Sequence, residues 1–148
     1  AWGPIYSSSA VVSGRVYFGA SNTVYALDAT SGRKIWSYTT GDRVESSPAV
    51  ANNMVYISSN DYNVYAFDTA TGNKIWNYTT GNEVNGSPTV ANDILYIGSK
   101  DHSVYALDAT TGSKIWSYKT GNWIESTPSI ANGILYIGSN DAKVYAFG

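Results

Sequence analysis

Aspartates recur in this sequence at a spacing of forty residues, at Asp28, Asp68 and Asp108. A carboxylate at a repeated position could act as a general base or bind a cation. Each of these aspartates, however, is followed four residues later by a glycine. An aspartate readily accepts backbone N–H groups in a turn, and a glycine supplies the positive φ that such turns need. We therefore predict that the three carboxylates cap turns and take no part in catalysis.

Few other side chains in the sequence offer chemistry. His102 is the only histidine, so a dyad or triad has no second histidine to use, and we interpret it as a solvated turn residue. The absence of cysteine excludes disulfides, thiolate metal sites and cysteine nucleophiles. Glu45, Asn85 and Glu125 occupy matching positions and could offer oxygen ligands to Ca²⁺, but no loop insertion builds a pocket around them. We predict no metal site and no catalytic residue.

One internal repeat accounts for this spacing. The run VYALDATTGSKIW begins at Val104, recurs in closely similar form at Val64 and Val24, and begins once more at Val144. A period of this length is typical of solenoids, propellers and arrays. The fold is therefore predicted from the repeat, and the local patterns are interpreted within each unit of it.

Each unit of the repeat predicts four short strands. In the second unit they are residues 46–51, 54–58, 64–68 and 74–79, called strands A to D, with turn signals between them and no helical periodicity. We predict an all-β chain in which residues 1–148 form one β-propeller domain of about four antiparallel blades, half of an eight-bladed ring. The blades span approximately residues 7–40, 41–80, 81–120 and 121–148, and the last lacks its outer strand.

The composition excludes some classes of partner. Charged residues make up 14% of the sequence and the net charge is −2, so neither nucleic acid nor an anionic membrane finds a basic surface. No run approaches the length of a membrane span. A surface rich in Asn, Ser, Thr and Tyr with few charges suits an extracellular or cell-envelope protein, and this is the location that we predict.

The run [VY]-A-[LF]-D-x-x-[TS]-G-x-K-I-W, followed about a dozen residues later by S-[ST]-P, resembles the pyrroloquinoline-quinone (PQQ) enzyme repeat. The resemblance implies the propeller fold of quinoprotein dehydrogenases and of the outer-membrane assembly lipoprotein, which is not an enzyme. It also implies that the alanine, glycine and tryptophan of the run dock adjacent blades. These residues are Ala26, Gly32 and Trp36, Ala66, Gly72 and Trp76, and Ala106, Gly112 and Trp116.

The resemblance also implies which groups the chain would need if it were a PQQ dehydrogenase. Such an enzyme has a central quinone site, a calcium ion, a catalytic aspartate and often a disulfide of adjacent cysteines. This sequence has no cysteine, and its repeated aspartates sit in turn positions. We therefore predict a non-enzymatic scaffold without a cofactor. The alternatives are a PQQ- and calcium-binding quinoprotein fragment and a purely structural module of a surface protein.

The repeats differ from one another mainly in two connections, from strand D to the next strand A and from strand B to strand C. In a propeller both lie on the same face, so this face is our candidate site for a protein or glycan. Its predicted members are Arg43, Glu45, Glu83, Asn85, Trp123 and Glu125, with Tyr62 and His102 further out. Neutral drift at exposed positions explains the same variation equally well.

A half ring leaves the outer faces of the first and last blades without neighbours. Those faces should be apolar, and apolar patches mark interaction surfaces. We expect a homodimer in which two copies meet head to tail and close an eight-bladed ring. A closed four-bladed ring and a piece of a larger propeller are the alternatives. Trp2 lies five residues before Ser7, whereas Trp36 lies ten before Ser46, so we do not expect Trp2 to dock a blade.

Overall fold

The computed structural model describes residues 3–148, and these residues form fifteen β-strands and no helix. Trp2 lies outside the described residues. The strands are β1 (Ala10–Val12), β2 (Arg15–Ala20), β3 (Thr23–Asp28), β4 (Lys34–Thr39), β5 (Ala49–Ala51), β6 (Met54–Ser58), β7 (Asn63–Asp68), β8 (Lys74–Thr79), β9 (Thr89–Ala91), β10 (Ile94–Gly98), β11 (Ser103–Asp108), β12 (Lys114–Lys119), β13 (Ser129–Ala131), β14 (Ile134–Ser139) and β15 (Lys143–Phe147). The predicted all-β fold is confirmed.

The strands form four antiparallel sheets in chain order, which we call the first to fourth blades. They are β1–β4, β5–β8, β9–β12 and β13–β15, so the fourth blade has three strands within the described residues. Strands that follow one another in the chain are neighbours in each sheet, as in a propeller blade. The four sheets fit the predicted half propeller. None of the described residues form a helix that is long and apolar enough to cross a membrane.

Turn chemistry fixes the hairpin between the first two strands of each blade. In the second blade, Asn52 and Asn53 have φ values of 51° and 60°. Asparagine tolerates this left-handed conformation better than most residues do, and two such residues in succession give the tight turn of a hairpin. The corresponding pairs in the other blades are Ser13-Gly14, Asn92-Asp93 and Asn132-Gly133, all with positive φ.

The hydrophobic core is divided into three clusters, each between two successive blades. Between the first and second blades, Trp36 is 7% exposed and packs among Val24, Val55 and Phe67, which are fully buried. Equivalent clusters join the second blade to the third and the third to the fourth. Each blade is thus stabilised by burial against its neighbours, as expected of a repeat protein.

Residues 3–6 occupy the place of a connection between blades. The backbone N–H of Ser21 donates to the carbonyl of Pro4 at 2.8 Å, as the N–H of Asn60 donates to Arg43 at 2.8 Å in the second blade. Ser7 bonds to the backbone of Gly19 just as Ser46 bonds to that of its own blade. Residues 3–6 therefore correspond to residues 42–45, which is the strand D to strand A connection.

Candidate binding face and blade ends

The two variable connections of each blade lie side by side. The carbonyls of Arg43, Glu83 and Trp123, all in strand D to strand A connections, accept backbone N–H groups from Asn60, Lys100 and Asn140 at 2.8, 2.9 and 2.9 Å. These donors lie one or two residues past the end of strand B of the same blade. The side chains at both positions therefore share one surface, which we call the variable face.

Lys100 is the centre of a charged cluster on the variable face. Its Nζ lies 2.8 Å from Glu83 Oε2 and 3.4 Å from Glu125 Oε1. It also lies 5.2 Å from the ring centroid of Trp123, within cation–π range. The hydrogen bond that Lys100 donates to Glu83 raises the pKa of Lys100, so the ammonium stays charged. One cation thus joins three of the predicted face residues, which come from two blades.

A second group on the variable face is formed by amides. Nδ2 of Asn85 donates to Glu45 Oε2 and to Asn60 Oδ1, both at 2.9 Å. Its Oδ1 is buried and has no hydrogen-bond partner among the described residues. In the fourth blade Nδ2 of Asn140 donates to Glu125 at 2.9 Å. Each amide therefore holds a glutamate in a fixed orientation.

The remaining predicted members of the face stay apart from both groups. Within the described residues, Arg43 is exposed and joins neither of them. Tyr62 and His102 occupy the left-handed position of the strand B to strand C turn, with φ values of 77° and 75°. Their carbonyls accept hydrogen bonds from Thr80 and Thr120, which closes the turn onto the end of strand D. The variable face is therefore centred on Lys100 and Asn85.

Sequence reasoning missed three residues of this surface, namely Asn60, Lys100 and Asn140. A signal for them exists, because they recur at the same forty-residue spacing and differ in type, with Ser21 at the corresponding place in the first blade. The change from asparagine to lysine at one fixed place beside strand B is that signal.

The repeated aspartates bind backbone in the turn that follows strand C. Oδ1 of Asp28 accepts the N–H groups of Thr30 at 3.0 Å and Ser31 at 2.7 Å, and Asp68 and Asp108 have the same arrangement. The N–H of the residue three positions on is the main cause that lowers the pKa of each carboxyl. These carboxylates are already occupied by donors of their own turns.

A second set of aspartates links successive blades. Oδ2 of Asp61 accepts the N–H of Gly41, at the end of the preceding blade, at 2.8 Å. The same oxygen accepts the hydroxyl of Tyr65 at 2.5 Å, and burial together with this bond raises the pKa of Tyr65. Asp101 and Asp141 repeat the arrangement. Among residues 3–148, no group of three acidic or histidine side chains could hold a metal ion.

Two tryptophans lie against the glycine turn of the next blade. The indole Nε1 of Trp36 donates to the carbonyl of Thr69 at 2.9 Å, and that of Trp76 donates to Ala109 at 3.0 Å. Trp116 is only half-buried. It packs at 5.2 Å between centroids on Phe147 and lines a cavity of about 370 Å³ at the exposed side of the fourth blade.

The two end faces of the array are apolar and open. Val144 in the fourth blade is 75% exposed, whereas the valines at the same place in the other blades, Val24, Val64 and Val104, are all 0% exposed. Tyr136 is 39% exposed, against 1% for Tyr17 in the first blade. At the other end Val11 is 65% exposed. The same positions are core inside the array and surface at its ends.

Comparison with known proteins agrees with this architecture. A family model described as outer membrane protein assembly factor BamB matches residues 1–85 and again residues 63–148. No curated protein matches the chain.

Three solved structures illustrate the structural likeness. BamB from Moraxella catarrhalis superposes with a TM-score of 0.87 and 23% identity, over 97% of this chain and 46% of that one. The computationally designed Ika4 protein gives a TM-score of 0.87 and 17% identity, over 98% and 91%. The quinohemoprotein alcohol dehydrogenase ADHIIG from Pseudomonas putida HK5 gives 0.80 and 25%, over 90% and 28%. The chain thus spans less than half of BamB and nearly all of Ika4.

Proposed function

Because this chain belongs to the family described as outer membrane protein assembly factor BamB, we propose that it is a non-enzymatic propeller scaffold of the cell envelope or its exterior. Two copies complete one ring head to tail. The variable face then presents a binding surface to a protein or glycan partner. The family description favours a protein partner, since an assembly factor acts on other proteins.

The observation that carries the proposal is the exposure of the end faces. Val144 is 75% exposed where Val24 in the first blade is 0% exposed, and Tyr136 follows the same pattern. Burying apolar surface contributes about 25 cal/mol per Å². A surface that elsewhere in this chain forms blade-to-blade core is therefore suited to contact another blade. The end blades of a second copy present apolar faces of this kind.

The size of the chain supports pairing as the means of closing the ring. Its four blades cover 46% of the BamB structure, so two copies approximate one such propeller in length. Ika4 is a designed protein of nearly the same length and the same fold. Ika4 therefore shows that a chain of about this length can adopt this fold as a separate protein.

The variable face offers features that partner surfaces use. Trp123 is 44% exposed and lies beside Lys100 and a pair of glutamates. Tryptophan is over-represented among the residues that contribute most to binding, and charges at its rim steer and orient a partner. The repeated aspartates support the non-enzymatic role. The repeated carboxylates are occupied by backbone and tyrosine donors, which leaves them poorly placed to bind a quinone or its calcium ion.

Light scattering during size exclusion over a dilution series tests the pairing. We expect a mass of about twice the 15.9 kDa of one chain. A single-chain mass at every concentration would contradict it. The non-enzymatic role is tested separately by adding PQQ and Ca²⁺ with a primary alcohol and a dye acceptor. Turnover above background would show that the protein is a quinoprotein enzyme.

A further inference from the structure

We propose that residues 3–6 of each copy seat on the fourth blade of the partner, with Ile5 packed over the partner's Gly138. The inference rests on the head-to-tail pairing proposed above and specifies how the two copies engage. The partner is thus a second copy of this chain, and the contact repeats one that the chain already makes between its own blades.

Within the chain, two of the blade connections place a branched apolar side chain directly on a glycine of strand B in the preceding blade. Val44 lies on Gly19, and Ile124 lies on Gly98, so closely that neither glycine has room for a Cβ. Both Val44 and Ile124 are 0% exposed. At these two junctions the next connection fills the space that a side chain of the strand B residue would take, whereas Ser58 stands at the corresponding place in the second blade.

Ile5 belongs to the same series of positions as Val44 and Ile124, but the described residues include no blade before it for Ile5 to pack on. Residues 3–6 correspond to residues 42–45, which places Ile5 at the position of Val44. Its side chain is 52% exposed. At the other end of the array, Gly138 takes the place of Gly19 and Gly98, and the nearest atom to a Cβ built there is Ser126 Oγ at 3.7 Å. An exposed isoleucine and an open glycine site therefore stand at opposite ends of one chain.

Backbone hydrogen bonds follow the same order. The N–H groups of Val84 and Ile124 donate to the carbonyls of Ser59 and Ser99 in the preceding blades, at 3.4 and 3.1 Å. The N–H of Val44 donates at 2.8 Å to the carbonyl of Ser21, which lies one position later because the turn of the first blade is one residue shorter. The series continues from the N–H of Ile5 to the carbonyl of the partner's Ser139. Seating of residues 3–6 thus extends an existing ladder by one step.

A chain of hydroxyl groups supports the same register. The N–H of Ser8 donates to Ser47 Oγ at 2.9 Å, that of Ser47 donates to Ser87 Oγ at 2.8 Å, and that of Ser87 donates to Thr127 Oγ1 at 3.2 Å. The next donor is the N–H of Thr127, and the next acceptor is the hydroxyl of the partner's Ser8. Two copies in this register close an unbroken ring of eight such bonds.

The seating makes the variable face a shared surface. Asn85 donates to Glu45, which is the residue at the same position one blade earlier. Tyr6 occupies this position in the first blade and is 59% exposed. In the closed ring the partner's Tyr6 follows Glu125, beside Trp123. A ligand bound at Trp123 therefore contacts both copies.

A charge at the seat tests the inference. Ile5→Asp places one carboxylate in each of the two seams, and at roughly tenfold for each seam we expect the dimer dissociation constant to rise roughly 100-fold. Ile75→Asp is the matched control, because Ile75 is 45% exposed on the outermost strand of the second blade, away from both ends. By light scattering, Ile5→Asp should fall to a single-chain mass at concentrations where the wild type and Ile75→Asp remain paired.

A covalent test fixes the register. The sequence has no cysteine, so Ser8→Cys with Thr127→Cys gives a protein whose only thiols lie on the two faces of a seam. A short bismaleimide should yield a covalent dimer on a denaturing gel, and Ser31→Cys with Thr127→Cys should not. A paired wild type whose Ile5→Asp variant stays paired, or which does not cross-link, overturns the seating and leaves the pairing intact. A wild type of single-chain mass overturns both.

Discussion

Trp36 in the first blade lies against Gly72 in the second so closely that a Cβ on Gly72 would be 2.6 Å from Cγ and Cδ2 of the indole. Trp76 and Gly112 repeat the relation one blade later, also at 2.6 Å. Gly32 has nearly the same backbone, with φ of 70° against 74°, yet has no atom within 4 Å of such a Cβ. The chain therefore contains its own control for the packing between blades.

Gly72→Ala should cost more stability than Gly32→Ala. Both variants pay for an alanine at positive φ, about 1–2 kcal/mol. Only Gly72→Ala also pushes a methyl group into a rigid indole, which adds about 1–3 kcal/mol. The free energy of unfolding from urea titration measures both. Equal losses would mean that the second blade moves away from Trp36 without cost.

Trp76→Ala should destabilise the protein by about 3–5 kcal/mol, because it empties a buried site and removes one of the two hydrogen bonds to the Ala109 carbonyl, which keeps the one from Tyr56. Trp116→Ala should cost roughly half as much, since its indole is half-buried and borders an open cavity. Thermal and urea unfolding of the two variants give the comparison. The comparison is made at concentrations where the protein has a single-chain mass, because the partner proposed above covers the exposed side of the fourth blade. An equal loss for Trp116→Ala under those conditions would contradict the prediction.

Acid should weaken the fold through the turn aspartates. Hydrogen bonds from backbone N–H groups hold the pKa of Asp28, Asp68 and Asp108 below the ordinary value of 3.8. A lowered folded-state pKa stabilises the protein above the unfolded-state pKa, and this is lost as pH falls from about 4 through the folded-state value. Asp68→Ala removes one of the three groups, so its melting temperature should be lower at pH 7 but decline less steeply below pH 4.

Asp68→Asn is the control for this experiment. It keeps an oxygen acceptor for the N–H groups of the turn but has no carboxyl to titrate. Its melting temperature at pH 7 should therefore lie above that of Asp68→Ala, with the same shallow slope in acid. If both variants retain the full slope of the wild type, the acid sensitivity comes from other carboxyls.

The sequence is sufficient to predict the fold because a strict forty-residue period repeats every local signal. The turn at Asn52-Asn53 and the strand pattern around Val64 recur in the other units. An ambiguous signal in one unit can therefore be interpreted from the same position in the others. What the sequence could not predict are contacts that depend on the angle between blades. The bond from Gly41 to Asp61 joins residues twenty positions apart in different blades, and no local pattern encodes it.

The variable face shows the same limit. Sequence variation pointed to Glu83, Trp123 and Glu125, and in the structure all three lie around one side chain. That side chain is Lys100. The sequence alone does not predict its role, because the role depends on which residues its long side chain can contact. Lys100 lies two residues past the end of strand B, and it contacts residues of its own blade and of the next only when both blades are packed.

Lys100→Met should test whether this cluster acts as one unit. The variant keeps an apolar stem over Trp123 but leaves two glutamates near each other without a cation. Since the lysine and glutamate side chains are 18%, 36% and 43% exposed, we expect a loss of about 1 kcal/mol at low salt. At 1 M salt, where charges are screened beyond about 3 Å, the loss should shrink.

Adding Glu83→Gln and Glu125→Gln to Lys100→Met should restore stability at low salt, because the repulsion is removed. If those changes lower stability further, the glutamates are held by other donors, such as Asn140, and the lysine does not organise the cluster.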